Sequence, residues 1–186
     1  MMALMSAEFW VPDALVMVIL AVEALTMNRR KGTVRKDAFS YQITTACFFV
    51  GYFSAFLLRL RPPFLGGWAV FAGAALALAG TAFRYWAIRN LGEYFTRVVQ
   101  VSADQKVVEK GPYRYIRHPS YTGSIVACLG VALSLRSLAS VACLMLPVLV
   151  GLSYRMAIEE RALCQSLGEP YRAYMRRTKR LIPYVL

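Results

Sequence analysis

Ionisable and aromatic residues suited to binding an anion or moving a proton cluster in the second half of the 186-residue chain. Arg155 stands four residues before Glu159, so the two share a helical face, and Glu160 follows. Arg155 closes an apolar run, where an ionised group is costly unless paired or hydrated. One reading is a snorkelling arginine with a local ion pair. The other is a guanidinium aimed at a substrate carboxylate, whose two oxygens its planar fork matches. His118, the only histidine, lies in Arg117-His118-Pro119-Ser120-Tyr121-Thr122-Gly123. Pro119 disfavours helical backbone at His118 and suits a first helical turn. His118 is therefore either a helix-entry residue or a general acid–base, since histidine ordinarily titrates near neutrality. A third polar stretch is Gln105-Lys106-Val107-Val108-Glu109-Lys110-Gly111-Pro112-Tyr113. Tyr113, Tyr115, Tyr121, Tyr171 and Tyr174 suit either an interfacial aromatic belt or the wall of a pocket.

The elements that hold these residues are apolar. Hydrophobic residues make up 58% of the chain and charged ones 17%, more apolar surface than a soluble domain of this size can hide. About 20 apolar residues cross a bilayer as a helix, and five membrane segments are expected: near residues 9–27, 41–60 and 68–88, and two shorter runs near 121–135 and 138–156, the first of them marginal in length for a full crossing. Only Arg136-Ser137 separates the last two, which predicts an antiparallel helical hairpin; Pro147 lies inside the second of them. The first segment is expected to be a membrane helix: no basic residue precedes it and it is too long for a simple signal core. The expected fold is all-α and integral to the membrane, a single structural domain. Residues 1–88 form a three-helix anchor region and residues 89–186 a motif region with a polar loop, the hairpin and a basic C-terminal helix.

Charge sets the orientation. Arg29, Arg30, Lys31, Arg35 and Lys36 mark a cytoplasmic loop, which places the N-terminus outside and the C-terminus in the cytoplasm. Alternation then leaves three of the 22 lysines and arginines outside: Arg59, Arg61 and Arg136. The formal net charge of +12 thus reads as orientation and attraction to lipid headgroups, and nucleic acid is not an expected partner. Cys47, Cys128, Cys143 and Cys164 form no CxxC pair, and with one histidine no metal site is expected.

Lys106-Val107-Val108, Gly111-Pro112-Tyr113, Arg117-His118-Pro119-Ser120-Tyr121-x-Gly123, Glu159-Glu160 with Gly168-x-x-Tyr171-x-x-Tyr174, and the terminal Arg180-Leu181-Ile182-Pro183 occur in this order. Over residues 90–186 the chain resembles the isoprenylcysteine carboxyl methyltransferases. The resemblance implies membrane helices with a cofactor pocket at their cytoplasmic side. It implies S-adenosylmethionine as methyl donor, with S-adenosylhomocysteine as product, contacting Gln100, Gln105, Lys106, Val107, Val108, Tyr113, His118, Pro119, Ser120, Tyr121 and Glu159. It implies that Arg155 binds and positions the acceptor carboxylate, and that the acceptor is a lipophilic small molecule or a prenylated substrate met among membrane lipids. A carboxylate is already nucleophilic at neutral pH, so such an enzyme works chiefly by proximity and orientation.

Met156-Ala157-Ile158 stand where the family often has further acids, which leaves the acceptor open. Two other enzyme readings remain: a phospholipid N-methyltransferase, to which Arg155 is ill suited because an amine nucleophile favours acidic contacts, and an NADPH-dependent membrane reductase of the sterol type, which has similar RHPxY and EE…G…Y elements. A scaffold or small transporter would explain the helices but not the polar motifs.

Overall fold

A computed structural model describes residues 7–25, 34–37, 39–95, 99–101 and 107–183. The described elements are α1 (Ala7–Leu25), β1 (Val34–Asp37), α2 (Phe39–Leu58), α3 (Trp68–Leu91), β2 (Val99–Val101), α4 (Pro119–Ser134), α5 (Leu138–Leu167) and α6 (Glu169–Arg177). The architecture is helical, as the apolar runs require. The exception is an antiparallel ribbon in which Val34 pairs with Val101 and Arg35 with Gln100.

Membrane helices gain little from burying one apolar surface against another, because lipid is as apolar as leucine; close backbone approach and internal hydrogen bonds hold them instead. Two seams do this. Along α3 and α4, Gly73, Ala77 and Gly80 meet Ser134, Gly130, Ala127 and Gly123 in antiparallel order. A Cβ on Gly73 would stand 2.5 Å from the Gly130 carbonyl oxygen, and one on Gly123 would stand 2.7 Å from the Arg84 backbone nitrogen. The second seam joins α2 to α5: Gly51 faces Cys143 and Leu144, and Gly151 faces Cys47 and Thr44. Ser140 Oγ donates to the Ala55 carbonyl at 2.7 Å and Thr44 Oγ1 to the Gly151 carbonyl at 3.2 Å. Leu144 and Val131, both fully buried, sit in the core between the seams.

The five expected segments are all helices, with differences that bear on how they meet a bilayer. Three are long and apolar enough to cross: α2, α3 and α5. Helix α1 carries Glu8, Asp13 and Glu23 within its 19 residues. Helix α4 has 16 residues, about 24 Å at 1.5 Å each, against a hydrocarbon core of about 30 Å. Helix α5 runs on past residue 156, where its apolar run ends, to Leu167, 30 residues in all, and continues through Pro147. The turn Leu135–Ser137 carries α4 into α5, with Arg136 in left-handed backbone at φ 61°. The two helices do touch, but each packs more extensively elsewhere, α4 on α3 and α5 on α2.

The connections gather at two ends. One holds Phe9, Arg59, Phe64, Ser134 and Arg136; the other holds Glu23, Tyr41, Arg84, Tyr121 and Arg155. Inserting volume into a seam already at backbone contact costs about 1–3 kcal/mol or more. Gly130→Leu should therefore lower the thermal unfolding midpoint of the detergent-solubilised protein substantially. Gly67→Ala, where a Cβ meets nothing within 4 Å, should stay within about 0.5 kcal/mol of the parent.

Candidate functional site

Pro119 opens α4 and His118 occupies its N-cap position, yet the imidazole makes no capping hydrogen bond. Instead it is buried between two carboxylates of α5: Nε2 lies 3.2 Å from Glu160 Oε1, and Nδ1 lies 3.8 Å from Glu159 Oε2. The ring stacks on Tyr121, with centroids 5.4 Å apart and planes at 17°. Of the two readings open at His118, the structure keeps the helix-entry position and gives the side chain a separate task.

Glu160 is a hub. Arg117 Nε donates to its Oε1 at 2.9 Å and Arg180 Nη2 to its Oε2 at 2.7 Å, alongside His118. The carboxylate is 5% exposed, and burying it is tolerable because several charged or polar donors surround it. The same residues lace the C-terminal segment to the loop before α4. Arg117 N–H donates to the Lys179 carbonyl at 2.7 Å and His118 N–H to the Arg180 carbonyl at 3.0 Å. Thr122 Oγ1 donates to the Leu181 carbonyl at 2.8 Å, and Arg117 Nη1 reaches the Thr178 carbonyl. Gly168, at φ 62°, ends α5 and turns the chain into α6, because a residue with a side chain seldom adopts that conformation. Helix α6 then buries Tyr171 and Tyr174, and the Tyr174 hydroxyl donates to the Tyr113 carbonyl at 2.7 Å.

Beside this hub runs a chain of hydrogen bonds from α5 to α4 and back. Arg155 Nε donates to the Tyr121 hydroxyl at 2.8 Å, and that hydroxyl donates to Glu159 Oε2 at 2.7 Å. The expected local pair of Arg155 with Glu159 is thus formed through Tyr121. Arg155 Nη1 also donates to Ser40 Oγ at 3.3 Å. Arg155 is 5% exposed, so it does not snorkel out to water. Burial pushes the Tyr113 and Tyr171 phenols well above their ordinary range, and in both the charge of Glu159 adds to the effect. Burial likewise raises Tyr174. All three remain protonated donors near neutral pH.

Arg155 and Tyr121 line a cavity of about 280 Å³ bordered by α1, α2, α3, α4 and α5. Its walls are largely apolar, with Ile19, Phe48, Phe49, Cys128, Val148 and Leu152 among them. Its polar rim adds Arg84, which is ion-paired to Glu23 and donates to the Ser120 carbonyl at 3.0 Å. Ser40, Glu23 and Arg84 were not among the residues singled out from sequence. Glu23 and Arg84 carried a usable signal, since both are ionisable residues inside apolar runs. Ser40 carried none: its partner is 115 residues away.

Of the residues the resemblance implies, His118, Pro119, Ser120, Tyr121, Arg155 and Glu159 come together here, and Tyr113 joins them through its electrostatic contact with Glu159 and Tyr121. Val107 and Val108 are half-buried at the start of the segment leading to Tyr113. Gln100 is placed by its backbone only, in β2, which packs against α5. Gln105 and Lys106 lie outside the described residues. Of the five tyrosines, Tyr113, Tyr121, Tyr171 and Tyr174 are buried and Tyr115 is 52% exposed; Tyr121 lines the cavity, and the other three buried rings pack inside the protein rather than forming an exposed belt.

The profile of the isoprenylcysteine carboxyl methyltransferase family matches residues 73–165, half of the chain and the stretch that holds this arrangement. The chain belongs to that family. An uncharacterized Bacillus subtilis protein, YpbQ, is 28% identical over 164 residues, covering 83% of this chain and 96% of its own length. Protein-S-isoprenylcysteine O-methyltransferase B of Arabidopsis thaliana is 28% identical over 120 residues, 63% of this chain and 61% of that one. The Schizosaccharomyces pombe protein-S-isoprenylcysteine O-methyltransferase is 30% identical over 108 residues, 57% of this chain and 46% of that one. The chain therefore spans roughly half to three-fifths of the named methyltransferases it matches. The structure of a eukaryotic intramembrane Ras methyltransferase, at 22% identity, superposes with a TM-score of 0.65 over 98% of this chain and 70% of that one, which shows a shared fold.

Hydrogen bonds to a charged group are worth about 1.5–3 kcal/mol, so removing the charge of Glu160 should loosen the C-terminal segment. In Glu160→Gln the amides of Arg117 and His118 should exchange with solvent about 30-fold faster, from roughly 2 kcal/mol lost. Glu169→Gln, which removes only the exposed pair with Arg176, should leave them unchanged.

Proposed function

We propose that this chain transfers a methyl group from S-adenosylmethionine to the carboxylate of a lipophilic acceptor of the isoprenylcysteine type, a lipophilic small molecule or prenylated substrate met in the membrane. The observation that carries the reading is the Arg155–Tyr121–Glu159 chain, which joins the mouth of an apolar cavity to a half-exposed carboxylate. Glu159 Oε1 takes no hydrogen bond from the described residues, and Glu159 is 29% exposed. An acceptor oxygen of that kind, beside the aromatic faces of His118 and Tyr121, suits a donor that carries both ribose hydroxyls and a cationic sulfonium. The residues assigned to the cofactor are Gln100, Gln105, Lys106, Val107, Val108, Tyr113, His118, Pro119, Ser120, Tyr121 and Glu159. When bound, the cofactor supplies an electrophilic methyl group.

The chain's own residues do the rest. Arg155, held by Tyr121 and Ser40, presents its guanidinium to the acceptor carboxylate and fixes its direction. The apolar cavity takes the lipid portion from the bilayer side. Tyr121 couples the two halves, since moving its hydroxyl disturbs both Arg155 and Glu159. The Glu160 hub keeps His118 and the C-terminal segment closed against this face. No proton need be removed from a carboxylate acceptor, so His118 is assigned a binding and positioning role. In orientation, the end bearing Arg155 faces the cytoplasm with the C-terminus, and the N-terminus lies outside. The anchor and motif regions act as one domain, and no metal or nucleic acid enters the reaction.

Calorimetry on the detergent-purified protein tests the cofactor: S-adenosylhomocysteine should bind, Glu159→Gln should weaken it at least tenfold, and NADPH should not bind. With a farnesylated cysteine acid as acceptor, Arg155→Ala should lower kcat/KM at least 100-fold and leave S-adenosylhomocysteine affinity nearly unchanged. Tyr121→Phe should lower kcat/KM about tenfold. Binding of NADPH alone would move the protein to the reductase reading; near-normal turnover in Arg155→Ala would remove that residue from the mechanism.

A further inference from the structure

The end of the bundle opposite Arg155 holds a second cavity, also of about 280 Å³, lined by Phe9, Pro12, Arg59, Phe64, Leu135 and Arg136 among others. Two of its lining residues are arginines. The Arg59 guanidinium lies over the Phe9 ring at 3.6 Å and the Phe56 ring at 3.9 Å from their centroids, so it is held in place by its faces while its edges stay available. Arg136 is placed just as firmly from the backbone side. Its N–H donates to the Leu133 carbonyl at 2.9 Å and its carbonyl accepts from Leu65 N–H at 2.8 Å. Ser137, fully buried beside it, donates to the Arg61 carbonyl at 2.8 Å. These bonds tie the α2–α3 connection to the α4–α5 turn and hold Arg136 at φ 61°, a conformation that long side chains seldom adopt.

Neither guanidinium donates a hydrogen bond to any described residue, although each carries five N–H donors. At the other end of the molecule the contrast is plain, with Arg84, Arg117, Arg155 and Arg180 all bonded to oxygens. Among the described residues the acid near Arg59 is Asp13, whose Oδ1 accepts from the Tyr52 hydroxyl at 2.5 Å. It offsets one charge and leaves the pocket cationic, with Arg61 two residues beyond Arg59 in sequence. Scattered snorkelling does not account for the pattern. The alternation of charge leaves three cations at this end of the bundle, and two of them line the same cavity.

We propose that this cavity binds the phosphate of an anionic glycerophospholipid in the leaflet opposite the active end. Two forked guanidiniums around one concavity match the oxygens of a phosphodiester. The site lies at the ends of α2 and α3, two membrane-crossing helices, where headgroups stand. The exposed Phe64 and Leu60 give the acyl chains an apolar wall. Because lipid would join the α2–α3 and α4–α5 turns, occupancy should stabilise the bundle without entering the reaction.

Native mass spectrometry of protein released from mixed micelles tests this, with phosphatidylglycerol and phosphatidylcholine as probes. The parent should retain one phosphatidylglycerol and little phosphatidylcholine, and phosphatidylglycerol should raise its unfolding temperature by several degrees. Arg59→Gln with Arg136→Gln should lose that retention and that shift, while S-adenosylhomocysteine binding stays unchanged and shows that the variant is folded. Arg59→Lys with Arg136→Lys should recover part of the retention. Equal retention of both lipids, or undiminished retention in the double glutamine variant, would overturn the proposal. Displacement of the lipid by millimolar inorganic phosphate would overturn it too, by making the site one for a free anion.

Discussion

The contact between α3 and α4 sets the geometry from which the rest of this protein follows. Gly73, Gly80, Gly123 and Gly130 leave no room for side chains between the two backbones, so the bulky residues of these helices turn away from the seam, some into the core, as Val131 does, and others outward, as Phe71 and Trp86 do. That choice has consequences at both ends. At one, the approach of Gly123 to Arg84 lets the guanidinium reach the Ser120 carbonyl, which fixes where α4 begins and hence where His118 and Tyr121 stand. At the other, it brings Ser134 beside Gly73 and prescribes the tight turn at Arg136. Packing of this sort is favourable in lipid because it gains dispersion contacts that lipid tails cannot match.

A site built next to a bilayer has little water to satisfy its polar groups, and this accounts for the density of internal bonds around α5. Glu160 gathers Arg117, His118 and Arg180; Glu159 takes Tyr121; Tyr121 takes Arg155; Arg155 takes Ser40. Each bond satisfies a group that would otherwise be buried alone at a cost of several kcal/mol. The resulting network is rigid because its members hold one another. Adjacent glutamates on one helix thereby differ in setting: Glu160, at 5% exposure, ties the C-terminal segment down, whereas Glu159, at 29%, has one oxygen that accepts no hydrogen bond from the described residues.

The sequence made some of this readable, and what it hid has physical reasons. Long apolar runs reveal helices because a bilayer imposes length, so α1 to α5 were visible in outline. The last three turns of α5 were not, because hydropathy reports only the lipid-facing part of a helix. Beyond Met156 the helix is held by polar contacts such as those of Glu160. The ribuon of β1 and β2 has strands of four and three residues, too short for an alternating pattern. At Arg155, spacing offered a local pair with Glu159 and was right about the face but not about the linkage. The intervening Tyr121 hydroxyl comes from another helix, which no local pattern encodes. Glu23 and Arg84 show the opposite case, since a charge inside an apolar run announces a partner even when the partner cannot be named.

The unequal lengths of α4 and α5 bear on how two phases meet at one centre. Helix α4, at 16 residues, is shorter than the hydrocarbon core by about 6 Å. Its N-terminal turn, with His118 and Tyr121, therefore sits at or below the headgroup level when its other end reaches the opposite interface. Helix α5 overshoots, and its Arg155 and Glu159 straddle the same depth. With the bundle upright in such a bilayer, the chain of hydrogen bonds from Arg155 through Tyr121 to Glu159 would cross the interface: its arginine end lines the apolar cavity, and its carboxylate end is partly exposed. Under the proposed function, a lipophilic acid and a water-soluble donor would meet there, each staying in its own solvent until the last few ångströms.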